Sequence, residues 1–382
     1  MKTKLSLNSL QRITSSGRYV PEIDGLRFIA IVTVVAMHLH TFFSRDNNLD
    51  AGIIEATWTN TLLQYGQNGV LVFFAISGFV LGLPFVNQYR KGGRKVNIGA
   101  YFKRRLTRLE PPYVFFLTAF LFVHFIMSER SVVENFQHYF AGLTYTHWFV
   151  YGQWNPILPV SWSLETEVQF YILAPLIALI FKIKNRVALY SAFGVIVLAL
   201  IYLGIHYKDL YEQINLDMSV FYYGSFFLIG FVFAEFFMFF REFLNKKHWM
   251  WDLVFFAALA GIFVYTRDLP QPRYFRTFLI LPLFIGVFKG PIANWLMTRK
   301  FVAVTGGMCY TMYLLHYPLI HIIAKPFAPF FNDYNLSYWA MAAIVLPIIW
   351  FISAFFFAVL ERPCMDKDWP TKLSNWVKYK LK

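Results

Sequence analysis

Arginine and histidine are costly inside an apolar helix, so their spacing carries information. In PEIDGLRFIAIVTVVAMHLH, residues 21–40, Arg27 stands near the start and His38 well inside the run. Their eleven-residue separation returns to nearly the same helical face, displaced by about 16 Å along the axis. Asp24 falls on that face too, whereas His40 points the opposite way. A charge and an imidazole on one stripe of a membrane helix are expected to face a bundle interior or a wet cavity. Neutral imidazole accepts a proton from a hydroxyl and returns it to a leaving thiolate. That suits acyl transfer from a thioester to an alcohol. The plainer alternative is a histidine that hydrogen-bonds a neighbouring helix, which is the reading preferred for His40, His124, His206 and His321. His316 stands evenly between the two.

Other polar groups fall in comparable places. GGMCYTMYLLHYPLI sets Tyr310, Tyr313, His316 and Tyr317 along related faces, and VSWSLETEVQFYILAPL puts Glu165, Glu167 and Gln169 at the mouth of its span. His38, His316 and Glu167 could therefore converge on one site in the outer half of the membrane. On the cytoplasmic side, YFKRRLTRLEPPY places Arg105 and Arg108 on one face at i,i+3. A guanidinium pair suits phosphate. The same charges serve as topogenic residues beside anionic lipid, and composition alone favours that simpler role. Pro111-Pro112 is expected to open a helix or force an extended entry. Ser77 reads as a small packing residue, while Glu235 and Asp252 read as charges near span ends that reach water.

These groups need a scaffold, and composition says which. The chain has 382 residues, of which 58% are hydrophobic and 20% aromatic, with only 15% charged. Mean hydropathy is +0.48. A soluble domain would carry more charge and fewer apolar runs near twenty residues. Ten spans are expected, at 24–43, 66–86, 110–128, 167–181, 187–206, 218–240, 249–266, 273–289, 302–324 and 336–360. With the N-terminus cytoplasmic, 27 of the 35 Lys and Arg fall on the inner side and seven on the outer, as the positive-inside rule requires. The net charge of +14 is thus a topology signal and calls for no nucleic acid. The resulting class is an all-α, polytopic membrane bundle of about ten transmembrane helices with both termini cytoplasmic. Residues 1–20 are a tail without a cleavable signal peptide, 21–363 the membrane domain and 364–382 a second tail.

The long outer segment 129–166 contains Tyr139, Tyr145, Trp148, Tyr151, Trp154 and Trp162. Long loops in compact proteins are often functional, and aromatic faces stack on sugars. An interfacial aromatic belt explains the same residues equally well. Cys309 and Cys364 form neither a disulfide framework nor a metal spacing, and no metal is expected. Phosphate-binding P-loop, dinucleotide-binding and metalloprotease signatures are missing.

Taken together, the motifs resemble the acyltransferase three family of integral membrane O-acyltransferases. RYVPEIDGLRFIAIVTVVAMHLH is similar to its opening motif, an arginine followed by the catalytic histidine, matched by Arg27 and His38. NGVLVFFAISGFVLG, RRLTRLEPPY, SWSLETEVQFY, YTMYLLHYPL and ERP match further landmarks in order. The resemblance implies transfer of an acyl group, acetyl from acetyl-CoA being the expected case, from cytoplasmic acyl-CoA to a hydroxyl of a cell-envelope glycan or glycosylated acceptor. It implies His38 as the proton-transfer residue, with Glu167 and His316 as catalytic candidates beside it. Arg27, Arg105 and Arg108 would hold the donor. No permanently bound cofactor is expected; acyl-CoA, the carbohydrate acceptor and membrane lipids are the partners, at the inner (plasma) membrane. Two departures stand out. Glu167 is followed by Val168 where the family usually has a second acid, and Glu110 replaces a residue that is usually aromatic. The rival class is a secondary transporter of a sugar or small molecule, which should show inverted repeats and broken helices.

Overall fold

Long apolar runs in lipid leave few ways to satisfy the backbone, and a helix does so within each segment. The computed structural model describes residues 7–8, 10–13, 19–46, 54–127, 130–264, 272–326, 334–366 and 368–380, and among these every regular element is helical. The principal elements are α1 (Pro21–Asp46), α2 (Gly69–Lys91), α3 (Ile98–Met127), α4 (Val132–Leu143), α5 (His147–Tyr151), α6 (Trp162–Ile177), α7 (Arg186–His206), α8 (Val220–Phe239), α9 (Met250–Phe263), α10 (Pro272–Lys289), α11 (Pro291–Met297), α12 (Lys300–Gly307), α13 (Cys309–Ala324), α14 (Tyr334–Phe356) and α15 (Trp369–Lys380). Of the residues in the charge count, Lys2, Lys4, Arg18, Arg267, Lys367 and Lys382 lie outside the described residues, as does much of the tail 1–20.

Seven helices among the described residues are long and apolar enough to cross a membrane, or eight if one bent pair counts as a single span. The protein is therefore multi-pass. Each of the ten expected segments is mainly helical over its described residues, with 128 and 265–266 lying outside them, but three fall short of an unbroken crossing. Segment 249–266 is the 14-residue α9. Segment 273–289 lies in α10, which turns by 87° into α11; Gly290 adopts extended backbone there, as a residue before proline favours. Segment 302–324 is divided at Met308 into α12 and α13.

The proline pair behaves differently from expectation. α3 runs straight through Pro111 and Pro112 for 30 residues. Each proline removes one N–H from the helical ladder. The carbonyl of Thr107, four residues before Pro111, instead accepts from Trp369 Nε1 at 2.9 Å. A neighbouring side chain thus satisfies a group the proline frees, which is how proline persists in membrane helices.

α1 is the hub of the bundle, in contact with α2, α11, α12, α13 and α14. The tightest crossing elsewhere is α2 on α8. A Cβ on Gly78 would lie 2.0 Å from the Phe227 carbonyl oxygen, and one on Gly230 2.0 Å from that of Ala75. Small residues on both helices let the backbones touch, which is the usual source of helix association in lipid.

Candidate functional site

Helix α1 carries His38 and helix α13 carries His316, and packing of the two brings the rings together. His316 Nε2 lies 3.2 Å from His38 Nδ1, with ring centroids 4.9 Å apart. The hydrogen-bond partners assign the protons. His316 Nδ1 donates to the Tyr313 carbonyl at 2.7 Å, so its Nε2 is a bare acceptor. His38 Nδ1 faces both that acceptor and the Val34 carbonyl at 3.0 Å, so it must carry the hydrogen. His38 Nε2 is left as a free lone pair on a partly buried ring, the state a general base needs. Tyr317 stands edge-on to the His38 ring at 5.3 Å. His316 itself is fully buried.

A cavity of about 120 Å³ lies against Tyr313, whose ring is 5.5 Å from His316; neither imidazole is among the residues that line it. Its walls include Arg27 of α1, Ser77 of α2, Arg105 and Arg108 of α3, Glu167 and Tyr171 of α6, and Tyr313 of α13. Arg27 Nη1 is tied to Asp24 Oδ1 at 2.5 Å, and Asp24 also pairs with Arg12 at 3.3 Å. Burial pulls the Arg12 guanidinium down to about 10. Arg105 stacks over Tyr171 at 5.6 Å and Tyr101 at 5.9 Å. Nε of Arg105 and Nε of Arg108 are buried without a hydrogen-bond partner. Two unsatisfied guanidinium nitrogens on one wall form a site built for an anion.

The six candidate residues thus sort into two groups. His38 and His316 meet; Arg27, Arg105, Arg108 and Glu167 share the cavity. Of the three residues expected to converge, His38 and His316 are in direct contact. Glu167 Oε1 accepts from Ser77 of α2 and from Tyr171 one turn along α6, and shares the cavity lining with Tyr313. Ser77 accordingly lines the cavity as a hydrogen-bond donor rather than as inert packing. Glu235 and Asp252 are buried and do not reach water. Glu235 accepts from Tyr190 and pairs with Arg90 at 3.2 Å and Arg186 at 3.4 Å, while Asp252 caps α11 through Ala293 N at 2.8 Å. His40 bonds Asn60 at 3.1 Å and Tyr334, in keeping with a helix-bridging histidine. Glu110 accepts from Tyr145 at 2.8 Å.

Tyr313 carries a role that spacing does not reveal. Its ring lines the cavity, lies 5.5 Å from His316, and its hydroxyl joins Ser163 at 2.7 Å and the Val160 carbonyl at 2.8 Å. It is the shared wall between the arginines and the histidines. Glu361, in the ERP landmark, supports this wall by accepting from Thr311 N at 3.0 Å and Thr311 Oγ1 at 2.6 Å. Between α4 and α5 a second imidazole pair forms. His138 Nδ1 lies 2.9 Å from His147 Nε2, and burial holds both rings below the usual histidine range, His147 down to about 4.

Fold and site together define a multi-pass membrane protein with a histidine pair set beside a cationic cavity. A family model described as an acyltransferase domain matches residues 20–360, and the chain belongs to that family. It is 27% identical over 336 residues to the O-acetyltransferase OatA of Staphylococcus aureus, covering 80% of this chain and 51% of that protein. It is 26% identical over 355 residues to the putative peptidoglycan O-acetyltransferase YrhL of Bacillus subtilis, covering 82% and 50%. A third relative, the peptidoglycan O-acetyltransferase OatA of Listeria monocytogenes, is 26% identical over 225 residues, covering 55% and 32%. The chain spans about half the length, or less, of these curated relatives. No solved structure matches it.

Proposed function

We propose that the protein is a membrane O-acetyltransferase that takes an acetyl group from cytoplasmic acetyl-CoA and places it on a hydroxyl of a cell-envelope glycan or glycosylated acceptor. The observation that carries this reading is the free Nε2 of His38, left bare by the His316 contact and the Val34 carbonyl. The acceptor hydroxyl gives its proton to that nitrogen as its oxygen attacks the thioester carbonyl. The carbon–sulfur bond then breaks, and the thiolate recovers the proton from the imidazolium. His316 is a positioning residue that holds the ring in the productive tautomer.

Arg105 and Arg108 supply the unpaired donors for the phosphates of the nucleotide half, and Arg27, fixed by Asp24, completes the wall. The donor's flexible arm bridges the distance of about 16 Å between Arg27 and His38 along α1. Glu167, bound to Ser77 and Tyr171, shapes the cavity near the arginines and carries no proton to the acceptor. The orientation that fits has both termini cytoplasmic and the protein in the inner (plasma) membrane. On that view the short α9 and the broken segments α10–α11 and α12–α13 complete a ten-span count. The test is thioester consumption by purified protein in lipid nanodiscs. Release of CoA thiol that depends on His38 supports the reading, and flux of a sugar without acetyl-CoA would sink it.

A further inference from the structure

Three tryptophans outside the arginine cavity form a continuous ladder. Trp148 of α5 and Trp154 meet edge to face at 4.9 Å, Trp154 and Trp162 at 5.9 Å, and Trp162 packs on Tyr223 at 5.5 Å. The ladder joins an exposed ring to a neighbour of the cavity. Trp154 is 48% exposed, whereas Ser163, next in the chain to Trp162, lines the cavity and bonds Tyr313. The first rung and the turn that follows it are fastened. Trp148 N donates to Glu165 at 3.0 Å and Trp148 Nε1 to Asp217 at 2.9 Å. Asn215 Nδ2 holds the Phe149 carbonyl at 3.1 Å, with Asn215 itself at φ 55. Gly152, at φ 60, brings the chain round to Trp154 with Asn215 so close that a Cβ would clash at 2.3 Å.

An interfacial belt needs only aromatic rings at the right depth. It gives no reason to set three indoles edge to face in a row and pin the first to a carboxylate. We propose that this ladder is the acceptor subsite, with Trp154 stacking on the apolar face of a neutral pyranose and the partly buried Asp217 accepting one of its hydroxyls. Pyranose rings have an apolar C–H face and an equatorial rim of donors, so an aromatic plane beside a carboxylate matches both. A sugar held on Trp154 lies one rung from Trp162 and so near Ser163, Tyr313 and the imidazole pair. The rigidity of the loop lowers the ordering cost of binding. This subsite rests on the acetyl-transfer reading.

The test uses the full chain in lipid nanodiscs with three neutral oligosaccharides as probes: chitopentaose, cellopentaose and maltoheptaose. At least one is expected to shift tryptophan fluorescence saturably. Trp154→Ala should weaken that binding, or raise the acceptor KM, about tenfold through loss of one stacking face. Trp154→Phe should restore most of it. Basal CoA-thiol release from acetyl-CoA without sugar, read in the same samples, should stay at the wild-type level in both variants, showing that the donor side is intact. If none of the three sugars binds, or if Trp154→Ala binds as the wild type does, the subsite is wrong while the enzyme reading stands. Absence of acetyl-CoA consumption by the wild type overturns the enzyme reading instead, and the subsite with it.

Discussion

Nδ1 of His38 and Nε2 of His316 lie 3.2 Å apart although 278 residues separate them in the chain. The contact decides the tautomer of both rings, since the Tyr313 carbonyl takes the His316 hydrogen at 2.7 Å. His38 is thereby turned into an acceptor at its outward nitrogen. The Val34 carbonyl, on α1 itself, favours the same tautomer at 3.0 Å, and His316 adds a second acceptor for the Nδ1 hydrogen.

Two substitutions separate the roles of these rings. His38→Ala should leave the protein folded in the membrane and lower acetyl transfer by about 10²–10⁴-fold, the usual value of one positioned acid–base group. His316→Gln should reduce turnover less and shift the pH–rate profile, because His38 then keeps only the Val34 carbonyl of the two acceptors that hold its tautomer. Steady-state rates across pH 5.5–9 provide the readout, and equal losses in kcat with unchanged profiles for both variants would contradict the division of labour.

The orphaned guanidinium nitrogens of Arg105 and Arg108 predict where donor affinity resides. Arg105→Ala and Arg108→Ala should each raise the KM for acetyl-CoA by about tenfold or more, as expected for loss of a charge-assisted hydrogen bond. Lysine at either position should recover only part, since it lacks the planar fork. Isothermal titration with CoA checks this, and unchanged affinity in both alanine variants would remove the phosphate role.

Backbone contact between α2 and α8 makes a stability prediction independent of chemistry. Gly230→Leu places a side chain where a Cβ already lies 2.0 Å from the Ala75 carbonyl oxygen. Overpacking of this kind costs about 1–3 kcal/mol. Gly194, in α7, has open space around it, so Gly194→Ala should be neutral or stabilising. Thermal shift in detergent distinguishes the two directly.

Acidification should loosen the α4–α5 segment first. His138 and His147 share one hydrogen bond at 2.9 Å, which two protonated rings cannot make. Burial lowers the folded-state value of His147 to about 4, and that of His138 in the same direction. The unfolded segment therefore binds more protons below the ordinary histidine value near 6.5. Stability that is complete above about 6.5 is lost as pH falls toward about 4. Protection factors across residues 131–158, corrected for the intrinsic pH dependence of amide exchange, should fall between pH 7 and pH 5, and His147→Phe should blunt the change. Protection that stays constant over this range in the wild type would refute the coupling.

Much of this was present in the order of residues. Apolar runs of about twenty specify a multi-pass helical bundle wherever they occur, because unsatisfied backbone in lipid leaves no cheaper arrangement. The spacing from Arg27 to His38 names one face of one helix, since the helical repeat is a local property. Periodicity is silent about which helix lies opposite. Packing alone set His316 against His38, joined Glu167 to Ser77, and inserted Tyr313 between cavity and imidazoles. Packing also supplied the Trp369 donor beside Pro111, so a helix continues where local rules expected one to start. Each of these outcomes depends on contacts between segments far apart in the chain, which no local repeat encodes.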